Sequence, residues 1–295
     1  MFHKAIKTKS RLRLALSGPS GSGKTYTALQ IARGLGGRVA LLDTERGSAS
    51  KYADLFEFDV AELDSFAPEN YIKAVQEAEK AGYDILIIDS LSHAWAGKDG
   101  LLEFVDKTAK GQFSGWKEAT PKQNRLVDAI LGARMHIIAT MRAKMSYTQE
   151  KDEKTGKSVV RALGMQPVQR DGIEYEFDIF GLLDQSNTLV IQKSRAVELR
   201  GAVIEQPGPE LGEALKAWLE DGVETPHPDK RLLDTYSVIE DILAKANELG
   251  RAKEALEVLM RHQWKQHEST DLKVARLVYD EIKAIVKAAR EEQTQ

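Results

Sequence analysis

The chain of 295 residues contains no cysteine. Disulfides, cysteine zinc sites and a cysteine nucleophile are thereby excluded, and a reducing cytoplasm is the expected home. No apolar run approaches the roughly 20 residues that cross a bilayer, so no membrane role is expected. The basic N-terminal stretch MFHKAIKTKSRLRLALSG has an apolar part too short for a secretory core and leads straight into a glycine loop. Internal repeats and low-complexity tracts are also missing. The formal net charge is only −3, so any nucleic-acid binding must come from local basic patches. What remains is ordinary for a globular protein, with 42% hydrophobic and 29% charged residues.

Hydrophobic patterning divides the chain. RLRLALSG alternates and then turns apolar, as a strand does, and KTYTALQIARGL has helical spacing. RVALLD, YDILIIDS and MHIIATM read as buried strands. Between them, APENYIKAVQEAEKAG, GLLEFVDKTAK and TPKQNRLVDAILGA read as helices, with Thr120 as cap and Pro121 as first residue of the last. The order βαβαβααβ predicts an α/β fold with a mainly parallel sheet covered by helices on both faces. Residues 142–170 show no clean period and are longer than an ordinary loop. IEYEFDIFGLLD and NTLVIQKS flank a Gln-Ser turn and predict an antiparallel edge hairpin. After the helical GPELGEALKAWLEDG, the Pro-rich VETPHPDK suggests a boundary. The expected domains are a core at 1–224 and a helical region at 225–295, with helices near 229–249, 251–266 and 271–291.

GPSGSGKT fits the phosphate-loop pattern G-x-x-x-x-G-K-[ST] and lies between a strand and a helix, the context the motif requires. Gly18, Pro19, Ser20, Gly21, Ser22, Gly23, Lys24, Thr25 and the adjoining Tyr26 form the candidate nucleotide cradle. Backbone N–H groups and a helix N-terminus suit phosphate. Lys24 can reach the β and γ phosphates of ATP, and Thr25 can bind Mg²⁺. Asp89, ending DILIIDS, is the candidate second Mg²⁺ residue, although an Asp there could also serve as a turn or cap acid. In LLDTERGSAS, Asp43 and Glu45 emerge at the sheet edge that carries the loop. Glu45 has the reach to deprotonate water in line with a γ-phosphate, whereas Asp43, closer to the sheet, reads as structural. Glu45 could instead pair with Arg46 or a lysine.

These residues carry a resemblance. LLDTERGSASKYADL, a helix and ILIIDSLSHAW resemble the core of RecA-type recombinases, in which a strand ends in Asp-x-Glu and the next core strand in Asp-Ser. ATMRAK, GMQPVQRDGIEYEFD and IQKSR are similar to phage-borne RecA-like ATPases of the single-strand annealing recombinase group, often labelled AAA-type. The resemblance spans about residues 10 to 200. It implies a RecA-like P-loop core for 1–224, with Glu45 as catalytic base and Asp89 as the Mg²⁺ acid. Thr140 stands where such proteins place a polar γ-phosphate sensor, usually Gln; Thr is shorter, and Arg142 could substitute. Lys193 and Arg195 stand where the family places cations that reach a neighbouring subunit's ATP, although charges also blunt exposed strand edges.

The resemblance further implies single-stranded DNA as partner, a filament or ring of identical subunits, and a bacterial host cytoplasm. The 142–170 stretch falls where the second DNA loop of RecA-type proteins lies. It holds Arg142, Lys144, Lys151, Lys154, Lys157, Arg161 and Arg170 against three acidic residues, a local excess of four positive charges. Single-strand binders combine a basic track with stacking faces. A first loop is expected near 96–118, where Trp116 could stack on bases; an ordinary solvated loop over buried aromatics is the alternative. The expected function is ATP-dependent DNA recombination or annealing. A helicase-like motor or loader, and a nucleotide-gated module whose helical tail recruits a single-strand-binding protein, are the alternatives.

Overall fold

A computed structural model describes residues 4–108, 112–151, 158–223, 230–265 and 272–293. They fall into two compact units, Met1–Gly222 and Val223–Gln295.

The first unit is built on a mainly parallel sheet. Strands β1 (Arg13–Gly18), β2 (Val39–Asp43), β3 (Asp59–Glu62), β4 (Ile85–Asp89), β5 (His136–Lys151), β6 (Ser158–Pro167), β7 (Ile179–Leu183), β8 (Thr188–Ser194) and β9 (Val203–Glu205) lie in the order β3-β2-β4-β5-β1-β7-β8-β9, with β6 paired to β5 alone. The pairs from β3 to β7 are parallel, and β8 and β9 add antiparallel. Apolar residues fill both faces because the central strands are covered on both sides. Leu14, Leu16, Ile87 and Ile138 pack under α1 (Lys24–Leu35) and α6 (Pro209–Glu220). Ala15, Leu86, Ile88 and Ile137 pack under α2 (Pro68–Lys80) and α5 (Gln112–Gly132). Helices α1 and α6 cross so closely at Gly34 that an added Cβ would collide with the Pro209 carbonyl.

Several expectations need correction. Pro121 does not begin a helix: α5 starts at Gln112 and carries Pro121 inside it. Most of the described residues near 96–118 are helical, in α3 (Ser92–Ala96), α4 (Leu101–Thr108) and the start of α5, so the loop expected there is not seen among them. The IEYEF stretch supplies a 3₁₀ turn, Ile173–Tyr175, before β7 begins. Strands β3 and β9 were not foreseen; β3 is four exposed residues and has no apolar alternation to announce it. The largest difference is at 142–170. Strand β5 continues past the sheet and pairs antiparallel with β6 from Ala143–Pro167 to Lys151–Ser158, making a two-stranded ribbon with a register shift at Ser146/Tyr147.

The second unit contains α7 (Lys230–Glu248), α8 (Ala252–Arg261) and α9 (Leu272–Gln293). Ile239, Ile242 and Ala246 meet Ala255 and Val258, and Ala275, Val278, Ile282 and Val286, at helical spacing. Among the described residues, no helix is long and apolar enough to cross a membrane.

Candidate nucleotide-binding site

The carboxyl ends of β1, β2, β4 and β5 bring the site together. Strand β1 runs out at Gly18, and the loop re-enters a helix at Lys24. Gly23 has φ 82°, which favours glycine, and a Cβ there would lie 2.5 Å from the Asn187 amide nitrogen. Asn187, from the β7–β8 turn, donates to Ser22 O at 3.0 Å and Thr27 Oγ1 at 2.9 Å, so a second element braces the loop. Lys24 Nζ donates to Pro19 O at 2.8 Å, within the loop itself. Burial pushes the Lys24 ammonium below its ordinary value, against the opposing pull of Asp89 and Glu45. Tyr26 turns aside into an aromatic group, 5.9 Å from Tyr52 and 5.5 Å from Phe56 between ring centres.

Asp89 is 2% exposed. Thr25 Oγ1 donates to its Oδ2 at 2.5 Å, and Thr140 Oγ1 donates to its Oδ1. Burial raises the carboxyl's pKa, the two hydroxyls oppose that, and Glu45 and Asp43 add to it. Thr140, the expected sensor, therefore spends its hydroxyl on the candidate metal acid.

Asp43 accepts the N–H groups of Glu45 at 2.6 Å and Ala49 at 3.0 Å, which makes it the anchor of the turn after β2. Glu45 is held by Arg142 through two bonds, Nε to Oε1 at 3.0 Å and Nη2 to Oε2 at 2.6 Å. Its partner is thus neither Arg46 nor a lysine. Burial pushes the Glu45 carboxyl up, but the hydrogen bond and charge of Arg142, together with His93 and Lys24, hold the pKa below the ordinary carboxylate value. Arg142 pairs across the sheet with Gly18, the first residue of the loop, and its N–H donates to Ser92 Oγ at 2.9 Å. The ribbon therefore begins beside the phosphate loop.

The other expected residues scatter. Lys144 is exposed on the ribbon, opposite Gln166. Lys151 and Arg161 belong to its two strands, and Lys154 and Lys157 lie outside the described residues. Trp116 sits on α5, 36% exposed, with its ring 5.6 Å from Trp95. Lys193 Nζ donates to the carbonyls of Glu174 at 3.3 Å, Tyr175 at 2.5 Å and Phe177, all in its own chain. Arg195 pairs with Asp178 at 3.0 Å and keeps 60% of its side chain exposed. The reading of the sequence missed Asn187, His93 and Gln169. Gln169 Nε2 donates to Leu91 O at 3.1 Å, tying the end of the ribbon to the turn after β4. The polar turn residues before β8 were the one available signal for Asn187.

The residues fit a magnesium nucleotide. Ser22 Oγ is fully buried in the loop without a hydrogen-bond partner, and the Lys24 charge rests on a carbonyl that a phosphate oxygen can replace. Thr25 and Asp89 offer hard oxygen donors, as Mg²⁺ prefers, and such sites usually leave several positions to water and phosphate. Among the described residues no three acidic or histidine side chains converge into a metal cage of their own. The family model of the AAA domain matches residues 10–202, more than half of the chain. No curated protein matches the chain.

Proposed function

The chain belongs to the AAA domain family of P-loop ATPases, and from that premise we propose that it is an ATP-dependent single-stranded-DNA-binding protein of recombination or annealing, working as an assembly of identical subunits. The observation that carries the reading is the meeting of three features at one sheet edge: the phosphate loop, the Glu45 carboxylate and a ribbon rooted at Arg142. Bound Mg–ATP supplies the phosphoryl group and the metal charge. Lys24 and the loop N–H groups hold the phosphates. Thr25 and Asp89 hold the metal, and Thr140 fixes the Asp89 rotamer from behind. Glu45, freed from Arg142, takes a proton from water. Because Arg142 opens the ribbon and also grips Glu45, an anion drawn to the ribbon competes for the same guanidinium. DNA-stimulated turnover follows from that competition.

The test is ATP hydrolysis by the full chain with and without single-stranded DNA, beside Lys24→Ala. Stimulation by DNA in the wild type and loss of turnover in a folded Lys24→Ala protein are expected. Undiminished turnover in Lys24→Ala would refute the site. Turnover indifferent to DNA, with no strand binding, would leave an ATPase of another kind.

A further inference from the structure

His93 is used by none of the roles above, yet it stands next to Glu45. Its ring is held on two sides. Phe66 stacks on it with ring centres 4.9 Å apart, and Thr44 Oγ1 lies 2.6 Å from Nδ1. Its side chain is 14% exposed. The hydroxyl of Thr44 accepts the Ser90 N–H at 2.8 Å and has one hydrogen to donate. The Ser90 carbonyl, at 3.2 Å, is farther than His93 and also takes the Tyr71 hydroxyl at 3.3 Å. A Thr44 hydrogen given to the closer partner, His93 Nδ1, would make that nitrogen the acceptor. A neutral imidazole that accepts at Nδ1 carries its proton at Nε2. Burial first, and then the Arg142 charge, lower the His93 pKa, against the opposing pull of Glu45, Asp89 and Asp43.

Nε2 faces Glu45 Oε1 at 4.0 Å, just beyond a hydrogen bond. Ser90 Oγ stands 3.5 Å from the same oxygen. Arg142 is what draws the carboxylate away. The two candidate partners of Glu45 differ in kind. Arg142 is a half-exposed side chain that another anion can engage, whereas His93 is fixed by Phe66 and Thr44.

We propose that His93 is a positioning residue for Glu45: Thr44 sets its tautomer, and its Nε2–H receives the carboxylate when Arg142 lets go, so that Glu45 is held in one place while it activates water. The proposal rests on the reading of Glu45 as the base. It makes the free protein's Arg142 pair a resting seat and the His93 N–H a working seat for one carboxylate.

Three measurements test it on the full chain. Nitrogen-15 histidine spectra, with His93 assigned by its loss in His93→Asn, should show the Nε2–H tautomer without nucleotide, and Thr44→Val should disturb it. His93→Asn keeps a group for Thr44 but none near Glu45, so kcat should fall about 10²-fold, as loss of about 1 Å of positioning does, with KM for ATP unchanged. His93→Gln places an amide N–H near the Nε2 position and should recover most of that loss. An Nδ1–H tautomer, a normal kcat in His93→Asn, or an equal fall in the Asn and Gln variants would each overturn the proposal. Glu45→Gln separates the two readings. Its normal turnover sinks the base assignment itself, while a slow Glu45→Gln beside a normal His93→Asn sinks only the positioning role.

Discussion

At Asp89 two threonine hydroxyls converge on a carboxylate with almost no solvent around it, an arrangement that keeps a charge ready at a cost in folding free energy. Motif spacing alone makes this centre legible. Glycines, Lys24 and Thr25 must be contiguous to wrap a phosphate, and a metal acid must end a neighbouring buried strand. Asn187, His93 and Gln169 were hard to read for the opposite reason: their partners are 165, 49 and 78 residues away, and only the tertiary fold introduces them. The same holds for His136, which lies at the start of β5, 8% exposed, and accepts the Leu12 N–H on Nδ1 at 3.0 Å. Burial first, then Arg11 and Arg13, lower its pKa from 6.5 to about 4. The unfolded chain therefore binds a proton here at a pH where the folded one does not. The stabilisation is complete above about pH 6.5 and is lost as pH falls toward about 4. Over that window the loss amounts to about 3 kcal/mol. Denaturant titrations between pH 7 and 4 should show His136→Asn less stable at neutral pH but with about one proton less in its acid slope. An unchanged slope would assign the acid sensitivity to the carboxylates.

Among the elements, those whose pattern matched their burial were legible, and those governed by pairing partners were not. Buried central strands such as Ile85–Asp89 announce themselves by continuous apolar residues. Strand β3 exists because Leu41 and Leu42 offer it a free edge, although its own residues are exposed. Helix α5 passes through Pro121, and its apolar seam at Leu126 and Ile130 outweighs the missing N–H. The ribbon misled in another way. No clean apolar alternation marks its sequence, so a basic aperiodic stretch reads as a loop. The paired backbone gives Lys144, Lys151 and Arg161 fixed places in a strand register. Lys151, Lys154, Lys157 and Arg161 neutralised together should weaken single-strand binding and lower the log–log salt slope by about 0.7 for each phosphate that loses its cation. Nucleotide binding should survive. A ribbon cut back to Lys144-Asn-Gly-Gln166 makes a harsher version, since a two-residue turn closes that register. Strand binding that persists in both variants, with the original salt slope, would move the DNA site away from the ribbon.

On the scale of the whole molecule, the proposed site calls for a further cation. On the proposed reading the loop, Glu45 and Asp89 serve as cradle, base and metal acid, and the Arg142 guanidinium is committed to Glu45. Phosphoryl-transfer enzymes often take a further cation from a neighbour, which contributes about 10³–10⁵ in rate. Lys193 and Arg195 were the expected donors, and their surroundings differ. Lys193 satisfies the carbonyls that end the Ile173–Tyr175 turn, and burial holds its ammonium below the ordinary value, with Arg195 adding to the effect. That is the situation of a structural cap. Arg195 is 60% exposed and makes its ion pair at 3.0 Å with Asp178, which is only 15% exposed and also accepts the Arg13 N–H. Strand β9 covers only Thr188–Val190, which leaves the Arg195 end of β8 without that partner strand. Of the two, Arg195, with the more exposed side chain, is the better candidate for a cation offered to a second subunit, and Lys193 holds the segment it stands on. Arg195→Ala should fold normally, bind ATP, and lose DNA-stimulated turnover, whereas Lys193→Ala should lower the thermal midpoint first. Mixing Arg195→Ala with Glu45→Gln protein then tests the direction of the contact. Some interfaces in the mixture pair an intact Glu45 from one partner with an intact Arg195 from the other, and only those can hydrolyse ATP at the stimulated rate. Activity should rise to a maximum at intermediate mixing ratios. A mixture as inactive as its two components, with co-assembly shown by sedimentation, would return Arg195 to the role of a charge on an open strand end.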